Sequence, residues 1–466
     1  MSLAWLVLAA CMLPRAAAAA AALPVVASGQ QEYWAQFDKR DWDAAIAAAE
    51  KMVTAARAAT TDASSGLRLA DTLVMLGNAL YGKGNLVAAE KAFQEALDLT
   101  GKYTNRSSAR LVDPLRGLGF TLAAQGKHER AIPYMDRALL LSRRSTGLFN
   151  VSQEGLLRQL ANSLAITGSP VEGEKHMLYL LRLGEHEYGE KDARMVPVYC
   201  TVARWYADVA QMDQARSLYR KALSIAERSM GRDSTGIVVP LRGLAQTFPE
   251  EVALNNLGIP TRKERLSTMP EEPISTVQEP YNPRYIAPEG ERALLRALRV
   301  LDADPHRSTR VLIETLVQTG DWFLLKDQSS KAMDYYSRAA ALIGENTAAA
   351  SPDNDGIGEA AALLSFPVAV YYLPPPAAIR NLAVIPYELE DRYVQVEFTV
   401  LPDGSITDER ETGHDGTNRH VVQTLAAISD ARYRPRFVKG EPVVTTNVGY
   451  RQIFKVRKHD QDDADD

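Results

Sequence analysis

Cysteine is scarce in this 466-residue chain: there are two, Cys11 and Cys200. Cys11 lies in an apolar N-terminal segment, so the mature protein is expected to keep Cys200 alone and to hold no internal disulfide. Cys200, near Trp205 on a helical pattern, reads as core rather than nucleophile. Positive charge is not in surplus either. With 53 Lys and Arg against 58 Asp and Glu, the net charge of −5 argues against nucleic acid as a partner. Part of the negative charge is gathered at 459–466, where Asp460 to Asp466 read as a solvated acidic tail. Catalytic motifs are missing: there is no H-E-x-x-H, C-x-x-C, P-loop or G-x-S-x-G, and the seven histidines are scattered. His414 and His420 flank Asp415 in a polar stretch joining a strand to a helix, and His176 and His186 sit among glutamates and read as solvated. The expectation is a protein that is not an enzyme, with no metal, no cofactor and no small-molecule substrate.

Long hydrophobic runs are confined to the N-terminus. Leu3 to Leu13 are apolar, Pro14-Arg15 interrupt them, and an alanine run from Ala16 to Ala22 follows. An apolar core of this length followed by small residues predicts a secretory signal peptide over 1–27, and hence export to the periplasm. Retention as a membrane span would place Arg15 mid-bilayer at a cost of roughly 2.5–3.5 kcal/mol. Leu8-Ala9-Ala10-Cys11 also resembles a lipobox, which implies the alternative of a lipid-anchored envelope adaptor. Contact with a membrane is expected only if this segment is retained or lipidated.

What the chain has in abundance is one repeated pattern. Ala70 to Lys102 reads as a helix, a Gly84-Asn85 break and a second helix, with Gly77, Leu80, Ala89, Phe93 and Ala96 filling the space between them. One such hairpin cannot bury its apolar face alone, which predicts copies at a period of roughly 34 residues. Val112 to Thr146 sets Gly119, Leu122, Gly126, Ala131, Met135 and Ala138 at the same offsets. Glu154 to Gly189 repeats it weakly, and Val196 to Gly231 strongly with Ala203, Tyr206, Ala215, Tyr219 and Ala222. Gln36 to Ala59, with Trp42, Ile46 and Val53, reads as half of a degenerate first repeat. After Leu244 the pattern breaks at a Pro-rich stretch and resumes with Gly320, Phe323, Ala332, Tyr336 and Ala339.

This small–large–small–aromatic–small pattern resembles tetratricopeptide (TPR) repeats. The resulting expectation is a solenoid over 36–248, a loop or tether over 249–290, further TPR-like helices over 291–344 and a linker over 345–366.

Beyond the linker the period changes from 3.6 to 2. Tyr393 to Val400 alternates as a half-buried strand, Leu401-Pro402-Asp403-Gly404 makes a turn, and Ser405 to Glu411 returns as a second strand. Val421 to Ile428 reads as an amphipathic helix and Val448 to Val456 as a final strand. With VQVEFTVLPDGSI, the ARYRPRF segment and Gly440-Glu441-Pro442-Val443, the stretch 367–458 resembles the C-terminal domain of TonB-type energy transducers. The fold class expected is therefore mainly α: a TPR helical-hairpin solenoid followed by a small α+β domain.

The TPR resemblance implies that the first helix of each repeat lines a concave, partner-binding wall. The register puts Asn78, Arg116, Arg158, Asn162 and Arg204 on it, where arginines and an amide are suited to hold a carboxylate. The TonB resemblance implies that the last strand receives an extended peptide along its edge, through Asn447, Val448, Tyr450, Arg451, Gln452 and Ile453. The partners expected are proteins or peptides, outer-membrane receptor segments among them. An exported interaction scaffold is the reading; an anchored transducer for outer-membrane transport is its rival, for which the N-terminus lacks the required polar-faced transmembrane helix.

Overall fold

The computed structural model describes residues 28–257, 286–348, 357–375 and 389–457. The signal peptide with its lipobox, residues 258–285 of the Pro-rich stretch, 349–356 of the linker and the acidic tail lie outside the described residues. The chain divides into two compact units after Glu190.

The first unit is four helical hairpins. Helix α1 covers 28–38, followed by α2 (Trp42–Ala58), α3 (Ala63–Lys83), α4 (Leu86–Tyr103), α5 (Val112–Ala124), α6 (His128–Thr146), α7 (Glu154–Ile166) and α8 (Pro170–Tyr188). Capping sets the helix starts. The Asp62 carboxylate and the Ser65 side chain form a reciprocal capping box ahead of α3, and the Asn85 side chain accepts from the Ala88 amide ahead of α4. The α3–α4 turn needs a left-handed residue, which Gly84 supplies at φ +83°.

The same turn recurs at Gly126 and Gly168, so the repeat period is 42 residues rather than roughly 34. Longer helices and a 3-10 turn ahead of α5 and α7 (Ala109–Leu111, Val151–Gln153) take up the difference. The aromatic of the pattern needs the small residues around it. Phe93 is fully buried, and a Cβ at Gly77 or Gly117 would fall 2.7 or 2.2 Å from its ring. The first repeat, read as half a unit, is a complete hairpin. Tyr33 of α1 is 0% exposed, packs on Ala45, Ala48, Ala49 and Met52, and donates its hydroxyl to the Met75 carbonyl at 2.9 Å.

The second unit continues with α9 (Met195–Asp208), α10 (Met212–Met230), α11 (Val238–Asn256), α12 (Pro288–Ala303), α13 (Thr309–Leu325), α14 (Ser329–Ala348) and the short α15 (Ile357–Ala362). Two expectations need correcting here. Helix α11 runs through Pro249 to Asn256, and Pro288 opens α12 at its first turn, so the predicted tether begins and ends in helix. Moreover, α11 and α12 pack on each other, which makes the break an insertion inside one hairpin rather than a gap between repeats. The predicted linker likewise holds the end of α14 and all of α15.

Strands follow: β1 (Val368–Tyr371), β2 (Leu389–Val400), β3 (Ile406–His414), then α16 (Asn418–Ser429), β4 (Arg432–Arg434), β5 (Arg436–Val438), β6 (Glu441–Val443) and β7 (Thr445–Arg457). An antiparallel sheet has the order β3-β2-β7, while β1 pairs with β4 and β5 with β6. Val394, Val396, Phe398 and Val400 of β2 face inward onto Ile428 of α16, Tyr433 and Phe454, as period-2 alternation requires. The Leu401–Gly404 turn forms with Gly404 at φ +84°, its amide donating to the Leu401 carbonyl.

Candidate interaction surfaces

The first helices of successive hairpins are neighbours in the first unit, where α5 touches both α3 and α7, so they form a continuous wall. Two register positions of this wall carry the predicted residues. Arg116 and Arg158 share one, 42 apart; Asn78 and Asn162 share the other, with Phe120 between them. The wall is less cationic than the register implied. Arg116 is held by Asp113 at 2.7 Å on its own helix, whereas Arg158 is exposed and makes no ion pair among the described residues. Asn78 and Asn162 are half-buried.

Arg204 lies in the second unit and is not a free cation. It pairs with Glu250 and with Asp208, both at 2.8 Å. Burial works against its charge, but the two carboxylates outweigh it and raise its pKa. This corrects the expectation that Arg204 adds charge for a ligand: a same-wall carboxylate already takes it.

The same 42-residue spacing, carried one hairpin further, adds wall residues that the sequence register stopped short of. Gln246 continues the series Asn78, Asn162, Arg204, and Arg242 continues the series Arg116, Arg158. Arg242 donates to Glu314 at 3.0 Å and to Gln318 at 3.1 Å, and Gln318 in turn donates to Gln246 at 3.0 Å.

At the last hairpin, Asp321 precedes Asp327 as Asn78 precedes Gly84, which places it in the same series. Asp321 is covered by the strand-containing domain. Arg434, 6% exposed, approaches it at 3.7 Å, and the buried Tyr336 hydroxyl donates to it at 2.7 Å. Burial raises the Asp321 pKa, with Arg434 opposing. Arg432 to Asp327 at 3.2 Å, Phe437 edge-on to Tyr336, and the Phe437 amide donating to the Leu364 carbonyl complete the contact. Sequence alone gave no sign that ARYRPRF supplies this docking.

The second surface is β7. It pairs with β2 along one side and with no strand along the other among the described residues. The six residues predicted for peptide binding divide by face. Val448 and Tyr450 pack on the domain core, and Gln452, 8% exposed, accepts from the Tyr372 hydroxyl at 2.7 Å. These three are set by packing and do not present selectivity groups outward. Arg451, stacked 3.8 Å over the Tyr393 ring, and Ile453, 39% exposed, face the other way; Asn447 sits at φ +56° in the irregular pairing near Thr445.

The backbone can be oriented as well. Tyr393 donates its amide to the Asp415 carboxylate and accepts from the Asp415 amide, both on the β3 side. Its partner across β7, Ile453, therefore points its own N–H to the open edge, and so by alternation do Arg451 and Gly449.

Cys200 is buried, and burial pushes its thiol up to about 12. His420 closes the capping box of α16 and stacks on Phe454 at 4.2 Å, while His414 pairs with Glu411. His186 stacks on Phe149 at 4.4 Å, and His176, read as solvated, is half-buried. Among the described residues no group of three or more His, Cys, Asp or Glu is placed to hold a metal, and no helix is long and apolar enough to cross a membrane.

The tetratricopeptide repeat family model matches residues 69–103 and 198–235. No curated protein matches this chain. Among solved structures it is similar to BtubC from P. vanneervenii (18% identity over 57% of this chain and 96% of that one, TM-score 0.40). A tetratricopeptide repeat protein from Parabacteroides merdae (13%, 73% and 98%, TM-score 0.40) and the apo quorum sensor NprR from B. thuringiensis (10%, 68% and 86%, TM-score 0.38) are also similar. The chain carries tetratricopeptide repeats, built into a mainly helical solenoid that ends in a small strand-containing domain.

Proposed function

We propose that this protein is an exported envelope scaffold that binds protein segments on two surfaces: the wall of first helices and the open edge of β7. The observation that carries the reading is the one-sided pairing of β7 among the described residues, with the amides of Gly449, Arg451 and Ile453 directed to the other side. An extended peptide is recognised there chiefly by main-chain hydrogen bonds, with Arg451 and Ile453 beside it for selectivity. The turn after β2, the helix over the sheet and the long last strand support a TonB-type domain. The polar, partly self-paired wall supports a protein partner with mixed charge, for which Arg158 is a cation without an ion pair among the described residues.

The test is photo-crosslinking in the envelope from probes at Arg451, Ile453, Asn78 and Arg158, with a probe at Lys51 of α2 as control. Discrete protein adducts from the first four positions and none from the control are expected. Ile453→Pro removes an edge donor without touching the β2 ladder, so it should abolish the β7 adduct and leave the melting temperature nearly unchanged. Adducts that survive Ile453→Pro would end the strand-addition reading. N-terminal sequencing of the same mature protein separates a free scaffold from lipid-anchored and membrane-anchored forms.

A further inference from the structure

Helices α12 and α14 border an open groove of about 680 Å³, lined by none of the wall-series residues and by no residue of β7. Arg292, Arg296 and Arg299 line it from α12, and Tyr335 and Arg338 from α14. The three α12 arginines stand four and three residues apart, so they form one stripe along the helix. Between them Leu295 and the nearly buried Leu298 give the groove an apolar floor. The arginines are not equivalent. Arg296 is paired with Glu227 at 2.5 Å and donates to the Arg232 carbonyl, and Arg338 is paired with Asp302 on the groove's own lining. Arg292 and Arg299 are exposed and make no ion pair or hydrogen bond among the described residues, though Arg292 lies close enough to Glu289 to help lower that carboxylate's pKa.

Two exposed guanidinium groups with no ion pair among the described residues, seven residues or roughly 10 Å apart on one helix, flank an apolar floor in a chain whose net charge is −5. We propose that this groove binds an acidic protein segment: two carboxylates engage Arg292 and Arg299, and an apolar side chain between them enters over Leu295 and Tyr335. Guanidinium forks match carboxylates in bidentate geometry, which supplies direction as well as charge. A protein segment fits better than an anionic bilayer, because Leu298 is only 4% exposed at the base of a concave surface that a flat membrane does not reach. The site is independent of the wall and of β7, and its failure leaves the reading above untouched.

The experiment is fluorescence anisotropy on the full mature chain with a fluorescein-labelled peptide of repeating Leu-Glu-Glu, against the same peptide with Lys for Glu. The acidic peptide should bind, the basic one should not, and added salt should weaken binding. Arg292→Glu with Arg299→Glu should lower affinity at least about tenfold, and Arg292→Gln with Arg299→Gln less so. Both positions are exposed, and melting curves of each double variant establish that the fold persists. Equal binding by wild type and the charge-reversed variant overturns the proposal. So does loss of binding to phosphatidylserine vesicles, in the same variant, with peptide binding intact. A large gain in peptide affinity on deleting residues 459–466 would instead make the chain's own acidic tail the occupant and overturn recognition of a partner.

Discussion

At the scale of single residues, charge that sequence offers to a ligand is often taken by a neighbour. Arg116, Arg204 and Arg242 stand at wall positions, yet each is answered by a carboxylate within 3.0 Å. Arg158 alone of this set makes no ion pair among the described residues, although Glu154 stands four residues before it on the same helix. Packing residues are better determined. Gly117 faces the Phe93 ring, so Gly117→Ala should overpack the α4–α5 contact and destabilise by about 1–3 kcal/mol, read from denaturant unfolding. Gly101, with open space around its Cα, is the control: Gly101→Ala should be neutral or slightly stabilising. His176 is a titrating example. Burial lowers its pKa below the ordinary 6.5, Asp136 opposes that shift, and Arg143 adds to it. The unfolded chain therefore takes up this proton first as pH falls, and stability held above about 6.5 declines on acidification. Thermal melts at about pH 5 to 7.5 should show this slope in wild type and a shallower one in His176→Gln.

Among elements, the decisive contact is the strand-containing domain on α13 and α14. The buried Arg434 stands beside the half-buried Asp321, so removing one charge costs more than replacing the pair. Arg434→Met, which leaves the half-buried Asp321 without its counter-charge, should destabilise by roughly 1–3 kcal/mol. Adding Asp321→Leu should recover much of that loss, and a double-mutant cycle showing additive penalties would refute the coupling. The two helices of α11–α12 make a parallel point. Their pairing persists across the insertion because closing a longer loop adds only about 0.6 kcal/mol per doubling of length. The insertion hid the hairpin from any fixed-period search, and Pro249 within α11 reinforced the impression of a tether.

For the whole molecule, replacing residues 258–285 by a short Gly-Ser loop should shift unfolding free energy by no more than about 1 kcal/mol and leave the α11–α12 hairpin intact. A loss of cooperativity in the melting curve would show that the insertion contributes to the fold. The hairpin unit, the change of period from 3.6 to 2 beyond the linker, and the small–aromatic pairing that builds the core are all legible in the residue order. Those features are local: they depend on turn chemistry and side-chain spacing, which a chain carries in its order. The 42-residue advance was already present in the aligned small and aromatic positions, whereas the partnership of α11 with α12 and the neutralisation of Arg204 emerged in three dimensions. Only the tertiary structure decided, too, that Arg434 closes over Asp321 and which edge of β7 stays open. Each of these depends on groups tens of residues apart meeting in space, where burial and pairing set a side chain's charge and availability in ways its sequence neighbours do not record.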